Sequence, residues 1–162
     1  MRTNNGLSRW TLRADGLFLI LAGSAAMISE TVGHFFGKGP LAALQGSPYT
    51  IGSFEAHGLA IIIGILLSYA GGLAERRLWH KVGLGTHILL GGSNLLFWSS
   101  FVQQSLVPVG VVTTALHIVF VVAQFWTFAA DLYAGERGKR LLPLIAVGAT
   151  GGAAFGSFLT QQ

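Results

Sequence analysis

Long apolar runs almost free of charge set the first limit on this chain: over residues 17–36 the one formally charged side chain is Glu30. A helix that crosses the ~30 Å hydrocarbon core of a bilayer needs roughly 20 such residues at ~1.5 Å each. Five stretches reach that length, at residues 17–36, 54–73, 82–101, 107–130 and 141–159. The fifth is the weakest, rich in Gly and Ala and opened by Pro143, which the first turn of a helix accepts because its missing N–H had no partner there. A water-soluble domain carries about 25% charged residues. This chain carries 10%, with 52% hydrophobic residues, and that excludes a soluble fold. Disorder is excluded too, because it requires low hydrophobicity and high net charge. The sequence predicts an all-α integral membrane protein, one membrane domain over 1–162. Its expected form is a four-helix transmembrane bundle plus a fifth, peripheral, Gly-rich transmembrane helix.

The basic excess does not point to nucleic acid, because the Lys and Arg residues sit in short clusters between the apolar stretches, as in cytoplasmic membrane loops. Arg2, Arg9 and Arg13 precede span one, Arg76, Arg77 and Lys81 follow span two, and Arg137, Lys139 and Arg140 follow span four. The opposite-side segments hold only Lys38. The N-terminus is therefore expected in the cytoplasm of a bacterial inner membrane or its equivalent, with the C-terminus outside if all five spans cross. Trp10, Trp79 and Tyr133 stand beside the basic clusters, where amphipathic rings favour the interface. A cleaved signal peptide fits poorly, since the first apolar run exceeds a usual h-region and the segment before it is long.

Ionisable groups inside apolar spans are expensive and usually face a bundle interior or a cavity. Span one carries Glu30 and His34, four apart and on one helical face. Span two opens with Glu55 and His57, span three holds His87 and Asn94, and span four holds Thr113, Thr114, His117, Gln124 and Asp131. Counted from the outer ends at ~1.5 Å per residue, His34 and His57 lie ~5 Å deep, Glu30 ~9 Å, and Asn94 and His117 ~15 Å. His87 and Gln124 lie roughly 20–27 Å down on the same count, and Asp131 emerges at the inner face. The polar groups thus read as a ladder. Each rung also has a plainer account. Glu55 complements a helix N-terminus, the threonines bond their own helix carbonyls, and Asn94 with Gln124 serve as interhelical glue.

Three chemistries fit such a ladder. A b-type haem takes two imidazoles at similar depth, a condition met by His34 and His57 and missed by His87 and His117 by ~8 Å. A metal ion could draw on Glu30, His34, Glu55 and His57. A proton relay needs only titratable and hydrogen-bonding groups in series, here Glu30, His117, Asn94, Gln124 and Asp131. Glu30 is the expected partner of His34. The chain has no cysteine, which excludes thiolate chemistry. It also has no G-x-S-x-G elbow, and no Asp is expected near a membrane-level Ser–His pair.

Span five carries Gly148, Gly152 and Gly156 beside Ala149, Ala153 and Ser157, two adjoining rows of small residues that favour close helix association. With four helices already closing a bundle, the fifth is expected at the periphery. The sequence therefore predicts a subunit of a larger membrane complex that holds a redox cofactor or relays protons. The alternatives are an accessory or scaffold subunit packing through its glycine face, and a lipid or hydrophobic-ligand binder. The expected partners are the lipid bilayer and copies of itself or other membrane subunits. Length, hydropathy and the early Glu55 of span two resemble the small DoxX-type membrane proteins, a likeness of hydrophobic pattern that brings no motif and no site residue with it.

Overall fold

The computed structural model describes residues 5–132, together with the isolated position 147. The described residues are helical, with no strand among them. In chain order they form α1 (Asn5–Phe36), a 3-10 turn (Ala42–Leu44), α2 (Thr50–Ala70), α3 (Arg77–Leu96), the short α4 (Trp98–Gln103) and α5 (Val107–Leu132). Three of them, α1, α2 and α5, are long and apolar enough to cross a membrane. The fifth predicted span, with Gly148, Gly152 and Gly156, lies outside the described residues.

Two helices begin or end elsewhere than the expected spans. Span one was expected to begin at residue 17, yet α1 begins at Asn5. Its first three turns carry the charged Arg9, Arg13 and Asp15, and they continue the buried stripe Ser8, Leu12, Asp15, Leu19 at helical spacing. Span three was expected over 82–101, whereas α3 runs Arg77–Leu96 and the backbone leaves the helix at Phe97 (φ −103°, ψ 29°) before α4. No glycine or proline marks this break. Beyond the break the Phe101 ring of α4 lies against Gly110, where a Cβ would stand 2.9 Å from the ring. Span two agrees with α2 to within four residues, and span four with α5 to within two.

α1 packs most extensively on α2 and α3 on α5, and the two pairs meet chiefly where α1 lies against α5. The α1–α2 approach is close because both helices offer glycine at the crossing. A Cβ on Gly16 would stand 2.5 Å from the Gly64 carbonyl oxygen, and one on Gly64 2.7 Å from the Gly16 carbonyl oxygen. These contacts fix an antiparallel register in which Gly16 faces Gly64 and Ser68, and Gly23 faces His57 and Ile61. α1 and α3 run parallel, with Ser8 level with His80 and Asp15 level with His87, and α5 runs against both.

The interior is more polar than the surface. Buried side chains include Ser8, Asp15, Glu30, Thr50, His80, His87, Thr114, His117, Gln124 and Thr127, against the apolar Leu12, Leu19, Ala60, Leu67, Ala70 and Ala129. Leu21, Ile62, Leu89, Val119 and Phe125 point outward, as do many other large apolar side chains. The exposed hydroxyls of Ser29 and Thr31 are returned to their own helix, donating to the carbonyls of Ala25 and Met27 at 2.8 Å each. Among the described residues, Arg9, Arg13, Arg76, Arg77 and Lys81 gather at one end of the bundle and Lys38 lies at the other.

Candidate functional site: a buried imidazole–carboxylate chain

A heptad spacing builds the site. α1 contributes Ser8 and Asp15, α3 contributes His80 and His87, and α5 contributes His117 and Gln124, each pair seven apart. Seven residues are close to two helical turns, so each pair faces the same way ~10.5 Å apart along the axis. Three such pairs on mutually packed helices converge on the bundle axis.

The hydrogen bonds form one chain through these side chains. The Ser8 hydroxyl donates to His80 Nε2 at 2.7 Å, and His80 Nδ1–H donates to Gln124 Oε1 at 2.5 Å. The amide nitrogen of Gln124 donates to Asp15 Oδ2. Asp15 Oδ1 accepts from His87 Nε2 at 2.7 Å, and His87 Nδ1 meets His117 Nδ1 at 2.9 Å. Asp15, His80, His87 and Gln124 are each 0% exposed. Gly83 makes the space: a Cβ there would stand 2.7 Å from Gln124 Nε2 and 2.8 Å from Asp15 Oδ2.

Partner chemistry sets the proton positions. An ionised carboxylate only accepts, so the His87 proton facing Asp15 sits on Nε2. A neutral His87 then offers a lone pair at Nδ1, and His117 Nδ1–H donates to it. If His87 gains a second proton, the direction reverses and His117 Nδ1 accepts. One proton can therefore pass between the rings with no change in heavy-atom partners. Phe120 stacks on His87 at 4.9 Å between centroids, and Phe18 stacks on Phe120 at 4.8 Å. These rings wall the imidazole pair on one side. Toward the end of the bundle away from the arginines, Asn94 Nδ2 donates to Thr113 Oγ1 at 3.1 Å, one turn of α5 beyond His117. Thr113 also donates to the Val109 carbonyl of its own helix at 2.9 Å, whereas the Thr114 hydroxyl is buried with no hydrogen-bond partner among the described residues.

Several expectations meet a different geometry. His87 and His117 were placed ~8 Å apart in depth and are in contact. The end of α3 lies five residues before the expected one, which is ~7.5 Å of helix and accounts for the discrepancy. A buried Ser–His pair, Ser8 with His80, does lie near an Asp. Its order of hydrogen bonds is that of a Ser-His-acid triad, but the neutral amide of Gln124 stands in the acid's position and Asp15 is one bond further on. Asp15, His80 and Ser8 were absent from the candidate residues because hydropathy cut α1 and α3 too short. Their signal was the repeated spacing of seven.

A second polar cluster joins α1 and α2 near the opposite end. Glu30 Oε1 accepts from the Ser53 hydroxyl and from His57 Nδ1, the latter at 2.9 Å. Glu30 was expected to pair with His34; the contacts it makes are with His57 and Ser53. The His34 ring lies edge-on to Phe35 at 4.8 Å. Glu55 is exposed and turned away from this seam. The polar ladder is therefore two clusters, centred on Asp15 and on Glu30, ~22 Å apart along α1. Asp131 falls in the last turn of α5.

Among the described residues no three His, Asp or Glu side chains gather as a metal-holding group. Two imidazoles sharing one metal ion bind at ~2.0 Å each, which sets their nitrogens ~4 Å apart when they lie on opposite sides of it, as the axial ligands of a haem do. The 2.9 Å between His87 and His117 is a hydrogen bond. No family model, no curated protein and no solved structure matches this chain.

Proposed function

We propose that this chain is a multi-pass membrane protein whose bundle interior relays protons. In this reading α1, α2, α3 and α5 cross the bilayer with the N-terminus in the cytoplasm. α3 is the least apolar of the four, but its 20 residues match the thickness to be crossed, and its polar residues His80 and His87 are buried. An interior rich in His, Asp and Gln beneath a surface of Leu, Ile, Val and Phe suits lipid as the solvent, since water would draw these groups the other way. The basic end of the bundle supports a cytoplasmic orientation.

The relay itself rests on the Asp15–His87–His117 chain. Asp15 accepts from His87 Nε2 and holds that ring in place, and the Nδ1–Nδ1 contact gives a proton passing between the rings two sites. A buried charge is tolerated only when paired and hydrogen-bonded, and both carboxylate oxygens of Asp15 are engaged. The side-chain amide of Gln124 does not exchange protons as imidazole does. It holds Asp15 and His80 in place and separates the relay from the Ser8–His80 pair.

Reconstitution tests the reading. Purified protein in liposomes loaded with a pH-sensitive dye should conduct protons under a clamped potential, and His117→Leu should lower that flux at least tenfold. Flux from the parent no greater than that of protein-free liposomes would sink the proposal.

A further inference from the structure

Three of the four buried polar atoms that lack a hydrogen-bond partner among the described side chains lie on one seam: Glu30 Oε2, His34 Nδ1 and Thr50 Oγ1. Glu30 and His34 share a face of α1, four residues apart. Thr50, Ser53 and His57 share a face of α2, at i, i+3 and i+7, and Ser53 and His57 bond Glu30. The antiparallel register that sets Gly16 opposite Ser68 and Gly23 opposite Ile61 sets His34 opposite Thr50. The segment after α1 folds back over this end. A Cβ on Gly33 would stand 2.2 Å from the Leu41 carbonyl oxygen, and the Gly46 N–H donates to the His34 carbonyl at 3.3 Å.

Burying a polar group without a partner is costly, and a carboxylate oxygen more so. Glu30 is 1% exposed and Thr50 7%, so neither oxygen is turned to bulk solvent. All three atoms can accept a hydrogen bond, His34 Nδ1 in the tautomer protonated on Nε2, and one belongs to an acid. Glu30 Oε1 is taken by Ser53 and His57, while Oε2, His34 Nδ1 and Thr50 Oγ1 meet no donor among the described residues. A small group that donates to all three and accepts from none answers them together. A protonated amine fits, since –NH₃⁺ offers three donors and no acceptor. We propose that this seam is a binding site for a small protonated amine, ammonium being the smallest, separate from the relay and independent of it.

The test uses the full-length parent protein in detergent, with thermal unfolding followed in ammonium, potassium and choline chloride at equal ionic strength. Ammonium should raise the melting temperature above the choline value in a saturable way, and potassium should not. Glu30→Gln keeps the shape and removes the charge, and should weaken ammonium binding about tenfold or more, consistent with the loss of a charge-assisted hydrogen bond. Should that variant fail to fold, Thr50→Val removes one acceptor and should weaken binding severalfold. Equal shifts in ammonium and potassium would show that hydrogen-bond donors are not what the seam recognises. No shift in either would mean that water alone meets these atoms. Either result overturns the proposal.

Discussion

Asp15 and His87, 72 residues apart in the chain, meet through a 2.7 Å carboxylate–imidazole contact in which neither side chain is exposed. The contact ties α1 to α3, two helices that otherwise touch only lightly. It is therefore a structural pin, and in the proposed relay it is also the carboxylate end of the chain; the two roles separate by substitution.

Asp15→Leu leaves His87 Nε2 and the Gln124 amide without their partner inside the bundle. Breaking a buried pair from one side destabilises by about 3–5 kcal/mol, so this variant should unfold well before the parent in a denaturant titration in detergent. Asp15→Asn retains an acceptor for one of the two donors and should be milder in stability, while proton flux should fall as far as in His117→Leu. Parent-like flux from folded Asp15→Asn would remove the carboxylate from the mechanism.

Two glycines on α3 give opposite predictions. A Cβ on Gly83 would press on Gln124 and Asp15, whereas a Cβ on Gly85 would meet nothing within 4 Å. Gly83→Ala should destabilise by about 1–3 kcal/mol through overpacking. Gly85→Ala should be neutral or stabilising by up to about 1 kcal/mol, since alanine is the better helix former. Thermal unfolding of both variants checks the pair. Equal behaviour would mean that α3 does not present Gly83 to the buried chain.

The hydrogen bonds assign tautomers. Neutral His80 should carry its proton on Nδ1, because Gln124 Oε1 accepts there and Ser8 donates to Nε2. Neutral His87 should carry its proton on Nε2, facing Asp15. Nitrogen-15 NMR of histidine-labelled protein in bilayers distinguishes the two. Observing His87 protonated on Nδ1 with a bare Nε2 would contradict the relay geometry.

Topology is open to a direct check, because the native sequence contains no cysteine to interfere. Gln45→Cys, between α1 and α2, should react with a membrane-impermeant thiol reagent from the outer side. Glu75→Cys, between α2 and α3, should react only from the cytoplasmic side. Labelling of both from the same side would rule out α2 as a membrane span.

The cluster around Glu30 shows how far pattern reading reaches. Glu30, His34 and His57 were visible as polar residues in apolar runs, and helical spacing set Glu30 and His34 on one face. Spacing within one helix says nothing of what the neighbouring helix presents. Glu30 therefore took Ser53 and His57 across the seam as partners in place of the residue one turn above it.

The sequence by itself determined the helical class, the long apolar runs and the heptad spacing of Asp15, His87 and His117 relative to Ser8, His80 and Gln124. Those properties follow from composition and from the 3.6-residue turn, which act locally. Tertiary structure alone decided which rungs touch. The relative height and rotation of two helices are set by where their small residues allow close approach, as at Gly16 with Gly64 and at Gly91, where a Cβ would stand 3.1 Å from the His117 Cβ. Hydropathy averages over a window and cannot register an axial offset of five residues. At ~1.5 Å per residue that offset is the difference between two separate histidines and a hydrogen-bonded pair.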